Sequence, residues 1–294
     1  MANEIDNHLI TQFSDQVHNA AQQIKARLRP YVEIKPLKGE EFAYDGMGSV
    51  EAEELVGRHQ QVDFADIDHN RRKIARRRFV LTLPIDSADV RGMLTSPEGH
   101  YAMACVRAME RVFDRVTVEC LFAAVLTGRS MGTSVSFATD GGATVTATAG
   151  LTYAKLVEIN KGFLDDDVGN DMPEQLVMGV SGDEMSALMQ EQELVSGDYS
   201  RQYAAEKGRL IEANGIKLVP FAANAPRPIL SVSAGVRSCF VMSTRGVCVG
   251  ISKEMGLSVK DRPDLIETSQ VQIIFDLGAV RTEGKLVKKV TTTD

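Results

Sequence analysis

The spacing of apolar residues predicts one unusually long helix near the middle of the chain. From Ser96 to Val125, apolar side chains recur at intervals of three and four residues. Thr95 or Ser96 can cap the start of the helix, and Pro97 suits its first position. At a rise of 1.5 Å per residue, the rod would be about 45 Å long, much longer than an average globular helix. We expect it to set the architecture. Its apolar face is formed by Tyr101, Cys105, Ala108, Val112, Val116 and Cys120.

The two segments before this helix have different patterns. Residues 1–29 carry apolar side chains at helical spacing and end at Pro30, which predicts an amphipathic helix. That helix could pack on its own core or reach a neighbouring subunit. Residues 31–84 predict an extended segment, with strands at Tyr31–Lys35 and Phe79–Leu83 on either side of a polar excursion. Loops this long are usually functional or disordered.

The chain after the long helix predicts a mixture of strands and short helices. Residues Thr127–Gly150 predict an exposed hairpin that turns at Asp140, and Asn214-Gly215 predicts a second, tight hairpin. The remaining predicted elements are helices at Leu151–Leu164 and from a cap at Asp183 to Met189, and strands at Gln175–Val180, Ser238–Val249, Gln270–Asp276 and Lys285–Val290. The predicted fold class is α+β.

Composition narrows the class of protein. Hydrophobic residues make up 44% and charged residues 25% of the 294 residues, as in ordinary globular proteins. The net charge of −7 argues against nucleic-acid binding by bulk charge. There is no secretory signal pattern and no apolar run long enough for a membrane span, so we expect synthesis in a cytoplasm and no membrane partner. The four cysteines form no CxxC pair, so we expect buried free thiols.

A basic cluster stands out inside the polar excursion. It comprises Arg71, Arg72, Lys73, Arg76, Arg77 and Arg78. One interpretation is contact with DNA phosphates. The other is a solvated or ion-paired face, for which acidic residues of a neighbouring subunit such as Asp165–Asp167 are candidate partners. No aromatic residues are interleaved to stack on bases, which favours the structural or intersubunit interpretation.

A search for catalytic chemistry yields one weak motif. Gly128–Gly132 fits the G-x-S-x-G nucleophile elbow around Ser130, but it follows a predicted helix instead of a strand. All five histidines precede Ser130, which excludes the usual hydrolase order of serine, acid and histidine. His59 and His69 lie near aspartates, but their spacing matches no known ligand set. We therefore expect no catalytic residues, no metal and no cofactor.

The order of the parts resembles the major capsid proteins of tailed bacteriophages, which have the Hong Kong 97-type fold. The resemblance is carried by the long helix, the extended excursion before it, the stretch GRLIEANGIKLVP (Gly208–Pro220) and the ending GAVRTEGKLVKKV (Gly278–Val290). It implies an N-terminal arm at residues 1–30 and an extended loop, the E-loop, with its flanking strands at 31–84. It also implies a peripheral domain at 85–171 with a spine helix at 96–125, an axial domain at 172–262 and returning strands at 263–294.

The resemblance implies a structural protein that assembles into an icosahedral shell of pentamers and hexamers. The expected partners are other copies of the chain and packaged double-stranded DNA held non-specifically. Scaffolding, portal and decoration proteins are further candidate partners. The expected location is the virion capsid, after synthesis in the host cytoplasm. The namesake's isopeptide crosslink is not expected, because no asparagine follows Asn224. The namesake's long N-terminal scaffolding segment has no counterpart, so we expect a separate scaffolding protein or none.

Three alternatives remain open at this point. The same fold builds encapsulin-type nanocompartments that load an enzyme cargo. A serine hydrolase would use Ser130, and a DNA-binding protein without a shell would use the basic cluster.

Overall fold

The computed structural model describes residues 22–52, 54, 64, 66–86, 98–147, 150–169, 174–191, 210–262 and 268–293. The described helices are α1 (Glu98–Phe122), α2 (Tyr153–Asp165) and α3 (Gly182–Gln190). In this part of the chain, no helix is long and apolar enough to cross a membrane.

The long helix is present but shorter than predicted. Helix α1 ends at Phe122 instead of Val125, because the chain turns at Ala123 and enters a strand at Val125. Its 25 residues span about 37 Å. Asp114, which is not part of the predicted apolar face, is nevertheless buried within the C-terminal half of the helix.

The segment that leads into the first strand is not helical. The predicted helix lies largely in residues 1–21, outside the described residues, but residues 22–28 have no helical structure. The reason is visible at Arg27 and Leu28. Their backbone amides donate to the Asp114 carboxylate at 2.9 and 3.0 Å, so the side chain of another helix replaces helical carbonyl acceptors. A single 3₁₀ turn follows at Arg29–Tyr31.

A first sheet consists of β1 (Glu33–Pro36), β4 (Arg77–Asp86), β13 (Val247–Arg262) and β14 (Thr268–Arg281). The spatial order of its strands is β1-β13-β14-β4.

The predicted strand at Ser238–Val249 is wrong as a single element. A turn closed by Gly246 N–H donating to Ser243 O separates two strands there, and the second of them is β13.

A second sheet lies within the predicted excursion and continues after α1. Strands β2 (Glu41–Met47) and β3 (His69–Ala75) form an antiparallel hairpin, and β5 (Val125–Thr127) and β6 (Thr133–Val135) extend it in the order β2-β3-β5-β6. Phe42, Tyr44 and Ile74 share one face of the hairpin and pack at its base with Leu37 and Val280. The polar excursion therefore has a regular, anchored stem.

A third sheet consists of β7 (Ala143–Ala147), β8 (Leu176–Val180), β9 (Glu212–Ala213), β10 (Ile216–Pro220), β11 (Val232–Ser233), β12 (Val236–Ser243) and β15 (Val287–Thr293). The spatial order of its strands is β7-β15-β12-β8-β10-β9, with β11 paired to β12.

Two hairpins were predicted in this part of the chain. The predicted hairpin around Asp140 is wrong, because β6 belongs to the second sheet while β7 pairs with β15. The tight hairpin at Asn214-Gly215 is confirmed, with positive φ at both residues.

Helices α2 and α3 lie on the same face of the third sheet. Lys288 reaches Asp166, the C-cap residue of α2, at 3.0 Å, and Thr292, on the same side of β15, donates to Glu184 of α3 at 2.7 Å. The cap of α3 is Ser181, not the predicted Asp183: Ser181 and Glu184 form a capping box. On the opposite face, Lys289 lies over the ring of Phe122.

The chain divides into two compact units that are discontinuous in sequence. One comprises residues 1–26, 78–112 and 253–276, and the other comprises 27–77, 113–252 and 277–294. The second unit contains the hairpin, the third sheet and the C-terminal half of α1. The cores of the two units contain Cys105, Met109, Ile273 and Phe275 in the first, and Phe113, Leu121, Phe163 and Phe240 in the second.

At the base of the hairpin, one glycine lies so close to the backbone of a neighbouring strand that we expect a larger residue there to lower stability. A Cβ atom on Gly278 would lie 2.2 Å from the backbone oxygen of Ala75. We expect Gly278→Ala to lower the free energy of unfolding by about 1–3 kcal/mol, because a strand must shift to make room. Urea denaturation measures this. Gly182→Ala is the matched control, since no atom lies within 4 Å of the added methyl group, and it should leave stability unchanged or slightly raised. Equal effects of the two changes would contradict the packing argument.

Candidate functional site

The basic cluster occupies strand β3 and the start of β4, at the base of the β2–β3 hairpin. Side chains alternate along a strand, so Arg71 and Lys73 lie on one face of β3 while Arg72 and Ile74 lie on the other. Arg76 separates the two strands, and its amide donates to Glu40 O at 2.9 Å. The cluster is therefore divided between two faces and has no single continuous basic surface.

The outer face of the hairpin carries cross-strand ion pairs. Arg71 lies opposite Asp45, and its Nε donates to the Asp45 carboxylate at 2.6 Å. This hydrogen bond holds the pKa of Asp45 below its ordinary value. Lys73 pairs with Glu41 further along the same face. Both pairs are solvent-accessible, so their contribution to stability is small.

The inner face carries a buried cluster in which one carboxylate binds two arginines. Arg72 donates both Nη atoms to Asp140, at 2.8 and 2.7 Å, and Arg281 donates its Nε at 2.9 Å. The side chains of Arg72, Asp140 and Arg281 are only 3%, 9% and 0% exposed. We call this arrangement the Asp140 cluster. Bidentate pairs of this kind are strong and fix geometry as well as charge.

Arg281 also binds the C-terminal end of α1. Its Nη1 donates to the carbonyls of Leu121 and Ala123 at 2.5 and 3.1 Å, and its guanidinium lies over the ring of Phe137. The carbonyls at a helix C-terminus carry partial negative charge, which suits a buried cation. The Asp140 cluster thus joins the hairpin, the end of α1, the loop before β7 and the end of β14.

The electrostatics of Asp140 follow from these contacts. Burial alone would raise the pKa of Asp140, but the hydrogen bonds from Arg72 and Arg281 outweigh it, so that the pKa lies below its ordinary value. Asp140 is therefore ionised at neutral pH. Its negative charge compensates one of the two buried guanidinium charges, and the helix carbonyls solvate the other.

The remaining members of the predicted cluster have separate partners. Arg77 binds Glu119 of α1 at 2.9 Å. Arg78 binds Asp276 at 2.9 Å, and this pairing raises the pKa of Arg78. Arg76 is exposed, and its side chain has no ion pair among the described residues. Five of the six predicted basic residues are thus engaged within the chain.

Sequence reasoning missed Asp140 and Arg281 as partners of the cluster. The sequence places Asp140 in an exposed turn, because D-G-G is a turn signal and nothing local marks the aspartate as buried. A weak signal for Arg281 is that it directly follows the apolar run Leu277–Val280 at the end of β14. Such a residue is buried only with a partner, but its partner cannot be read from sequence.

Among the described residues, no histidine or carboxylate forms a hydrogen bond with the candidate nucleophile Ser130. It lies in the exposed loop between β5 and β6, next to Met131 with φ of 53°. Within the described residues, no group of three or more His, Cys, Asp or Glu side chains is arranged to hold a metal ion.

Comparison with known proteins decides the family. The model of the phage capsid protein family matches residues 5–294. The chain belongs to this family. The family prediction and the prediction of an α+β capsid fold are therefore confirmed, and the chain is a structural capsid protein. No curated protein matches the sequence.

Solved phage capsids share the fold of this capsid protein at very low sequence identity. The capsid structure of cyanophage P-SCSP1u matches with a TM-score of 0.76 and 11% identity, over 100% of this chain and 96% of that chain. The acid-stable capsid of Helicobacter pylori bacteriophage KHP30 matches with 0.70 and 11%, over 100% and 99%. The capsid of cyanophage Pam1 matches with 0.69 and 12%, over 99% of each chain.

Removing the central carboxylate should destabilise the subunit strongly. Asp140→Asn leaves Arg72 and Arg281 buried without a counter-charge, so we expect a loss of about 3–5 kcal/mol in the free energy of unfolding. Urea denaturation measures this. Asp45→Asn, which removes an exposed partner of the same hairpin, is the control and should change stability little. An Asp140→Asn variant as stable as the control would exclude the cluster as a major contributor.

The Asp140 cluster should also respond to acid. Because the folded-state pKa of Asp140 is lower than its unfolded value near 3.9, its stabilisation is complete above that value and is lost as the pH falls through the folded pKa. We expect the stability difference between the wild type and Asp140→Asn to be largest near neutrality and to shrink below about pH 4. Denaturation series at pH 7, 5, 4 and 3 test this. A difference independent of pH would contradict it.

Proposed function

We propose that copies of this chain associate into a closed icosahedral shell, built of pentamers and hexamers, that encloses double-stranded phage DNA. The observation that supports this most strongly is the match of the phage capsid family over residues 5–294. The capsids of solved phages with the same fold supply the architectural analogy.

The hairpin supports the proposal because large apolar side chains in its far strand end and connection are exposed. At its far end Met47 is 75% exposed and Phe64 is fully exposed. Its base, by contrast, is fixed by the Asp140 cluster and by the packing of Phe42, Tyr44 and Ile74. A ribbon that is anchored at one end and carries exposed apolar side chains at the other suits contact with a neighbouring subunit.

The named parts of the capsid fold are assigned here as proposals. Residues 1–30 are the arm, 31–84 the E-loop with its strands, and 85–171 the peripheral domain, in which α1 is the spine. Residues 172–262 are the axial domain, and 263–294 return to the body. The two compact units cut across these boundaries, because β4, α1, β13 and β14 each contribute residues to both units.

The basic cluster is proposed to serve the subunit and its interfaces, not DNA. Five of its members have partners within the chain, which leaves Arg76 to meet a neighbour. The overall charge of −7 suits an inner wall on which DNA is enclosed without sticking. Scaffolding, portal and decoration proteins are further proposed partners. The role is structural and not enzymatic, in the virion capsid after synthesis in the host cytoplasm.

Electron microscopy of the purified protein tests the proposal. We expect closed shells, or pentamers and hexamers that close into shells when scaffolding protein is added. Particles isolated from infected cells should contain nuclease-protected double-stranded DNA. Shells that contain a protein cargo and no DNA would favour a nanocompartment instead. A chain that stays monomeric at high concentration, with and without scaffolding protein, would contradict shell formation.

A further inference from the structure

The chain just before β1 lies against α1 without forming an α-helix or a strand. Residues 22–28 have no regular structure, a 3₁₀ turn follows at Arg29–Tyr31, and β1 begins at Glu33. We call residues 22–32 the strap. Of these residues, all of which the structure describes, only Leu28 is buried, whereas Ile24 is 59% exposed. The strap thus buries little apolar surface, which is typical of segments that open locally.

Backbone amides of the strap are bound by two carboxylates that stand one turn apart on α1. Arg27 N–H donates to Asp114 Oδ2 at 2.9 Å, and Leu28 N–H donates to Asp114 Oδ1 at 3.0 Å. Ala26 N–H donates to Glu110 Oε2 at 2.9 Å. Hydrogen bonds from amides to a carboxylate are among the strong ones. Because they engage the main chain, they fix the path of the strap whatever its side chains are.

The burial of Asp114 shows what its charge is for. The side chain is completely buried. A buried carboxylate is costly unless it is hydrogen-bonded, and an apolar residue at this position of α1 would pack without that cost. The carboxylate is therefore best explained by the two strap amides that it holds.

The side chains of the strap add contacts that are individually weak. The guanidinium of Arg27 donates to the carbonyl of Pro220 and lies 5.8 Å from the centre of the Phe221 ring. Arg29 lies 5.7 Å from the centre of the Phe113 ring. Both arginines are partly exposed, and cation–π contacts at such sites contribute little. The two amide bonds to Asp114 are thus the main restraint on this part of the strap.

Strand β1 limits how far the strap could open. It pairs in parallel with β13, from Glu33 opposite Cys248 to Pro36 opposite Ile251. Directly after it, the buried Leu37 donates its N–H to Ile251 O at 2.9 Å. Opening beyond Glu33 would have to break this ladder, so the strap ends where β1 begins.

We propose that the strap opens as a unit while the rest of the fold stays intact, and that Asp114 is the positioning residue that keeps it closed. The strap overlaps residues 1–30, the proposed arm. Asp114 therefore determines whether the root of the arm stays on its own subunit. That consequence rests on the proposed function, whereas the opening itself is a property of the single subunit.

Hydrogen exchange of the unassembled subunit, resolved to single amides by mass spectrometry, tests the opening. We expect the amides of Arg27 and Leu28 to be protected about 10–1000-fold relative to an unstructured peptide. The amides of β12, a central strand of the third sheet, should be protected much more. Strap amides as slow as those of β12 would overturn the proposal, because they would open only with the whole fold. Strap amides without any protection would overturn it too.

The isosteric variant Asp114→Asn tests the latch. Its NH₂ group would face a backbone N–H donor, so the strap amides should lose all their protection. Exchange in β12 should then accelerate by no more than the factor that protected the strap in the wild type, since an open strap has nothing further to lose. A residue needed for the whole fold would exceed this ceiling, and that result would contradict the proposal. Retained protection of the strap would contradict it as well.

Glu119→Gln is the matched control on the same helix. Glu119 is 48% exposed and binds Arg77, not the strap. This change should leave the exchange of Arg27 and Leu28 as in the wild type. An acceleration equal to that of Asp114→Asn would mean that any loss of charge on α1 opens the strap, which would remove Asp114 from its proposed role.

A second pair of variants acts from the side of the strap itself, in case Asp114→Asn does not fold. Leu28→Ala removes the buried anchor and should lower the protection of the strap amides, with the same ceiling in β12. Ile24→Ala is the control, because its side chain is already exposed. Equal effects of the two changes would contradict the proposal. Exchange is scored on free subunits and shells by microscopy, so failure of either result leaves the other standing.

Discussion

The sharing of one buried carboxylate by two arginines is the constraint on which the second unit depends. Asp140 holds Arg72 of the hairpin and Arg281 of β14, and Arg281 holds the last carbonyls of α1. A buried charge of this kind is costly without partners, and here every partner comes from a different element. The hairpin therefore has a defined direction relative to α1 and the loop before β7. Without that direction, a hairpin about 20 Å long could not hold its far end in a fixed position.

The elements that could be predicted from sequence were those with a strong local signal. Helix α1 and the Asn214-Gly215 turn were found because helical periodicity and a positive-φ turn are encoded by neighbouring residues. Strand β2 is not evident from the sequence, because Glu41, Asp45 and Gly46 interrupt its apolar residues and its pairing with the distant strand β3 stabilises it. Residues 22–28 were expected to be helical, yet the Asp114 carboxylate takes the place of helical acceptors for Arg27 and Leu28. Long-range partners of this kind override local preference and leave no trace in the local pattern.

The candidate site likewise contains one part that the sequence predicts and one part that it does not. The basic cluster is evident from the sequence, but its role is not, because five of its members are engaged by acids that lie 26 to 198 residues away. Relatives with the same fold at 11–12% identity make a related point. What such proteins share is the arrangement of helices and strands. The hydrophobic pattern of the sequence and the order of its elements predict that arrangement better than individual residues do.

The separation of Arg72 from Arg281 has a consequence for the timing of synthesis. The two residues are 209 positions apart, and the carbonyl of Arg281 also accepts from Arg72 at 3.2 Å. At a ribosomal rate of 5–20 residues per second, the hairpin is complete about 10–40 s before the arginine that fixes it is made. Until Arg281 is made, the Asp140 cluster lacks one of its two guanidinium groups and its link to the end of α1. The orientation of the hairpin is therefore fixed only late in synthesis, after most of the second unit has been made.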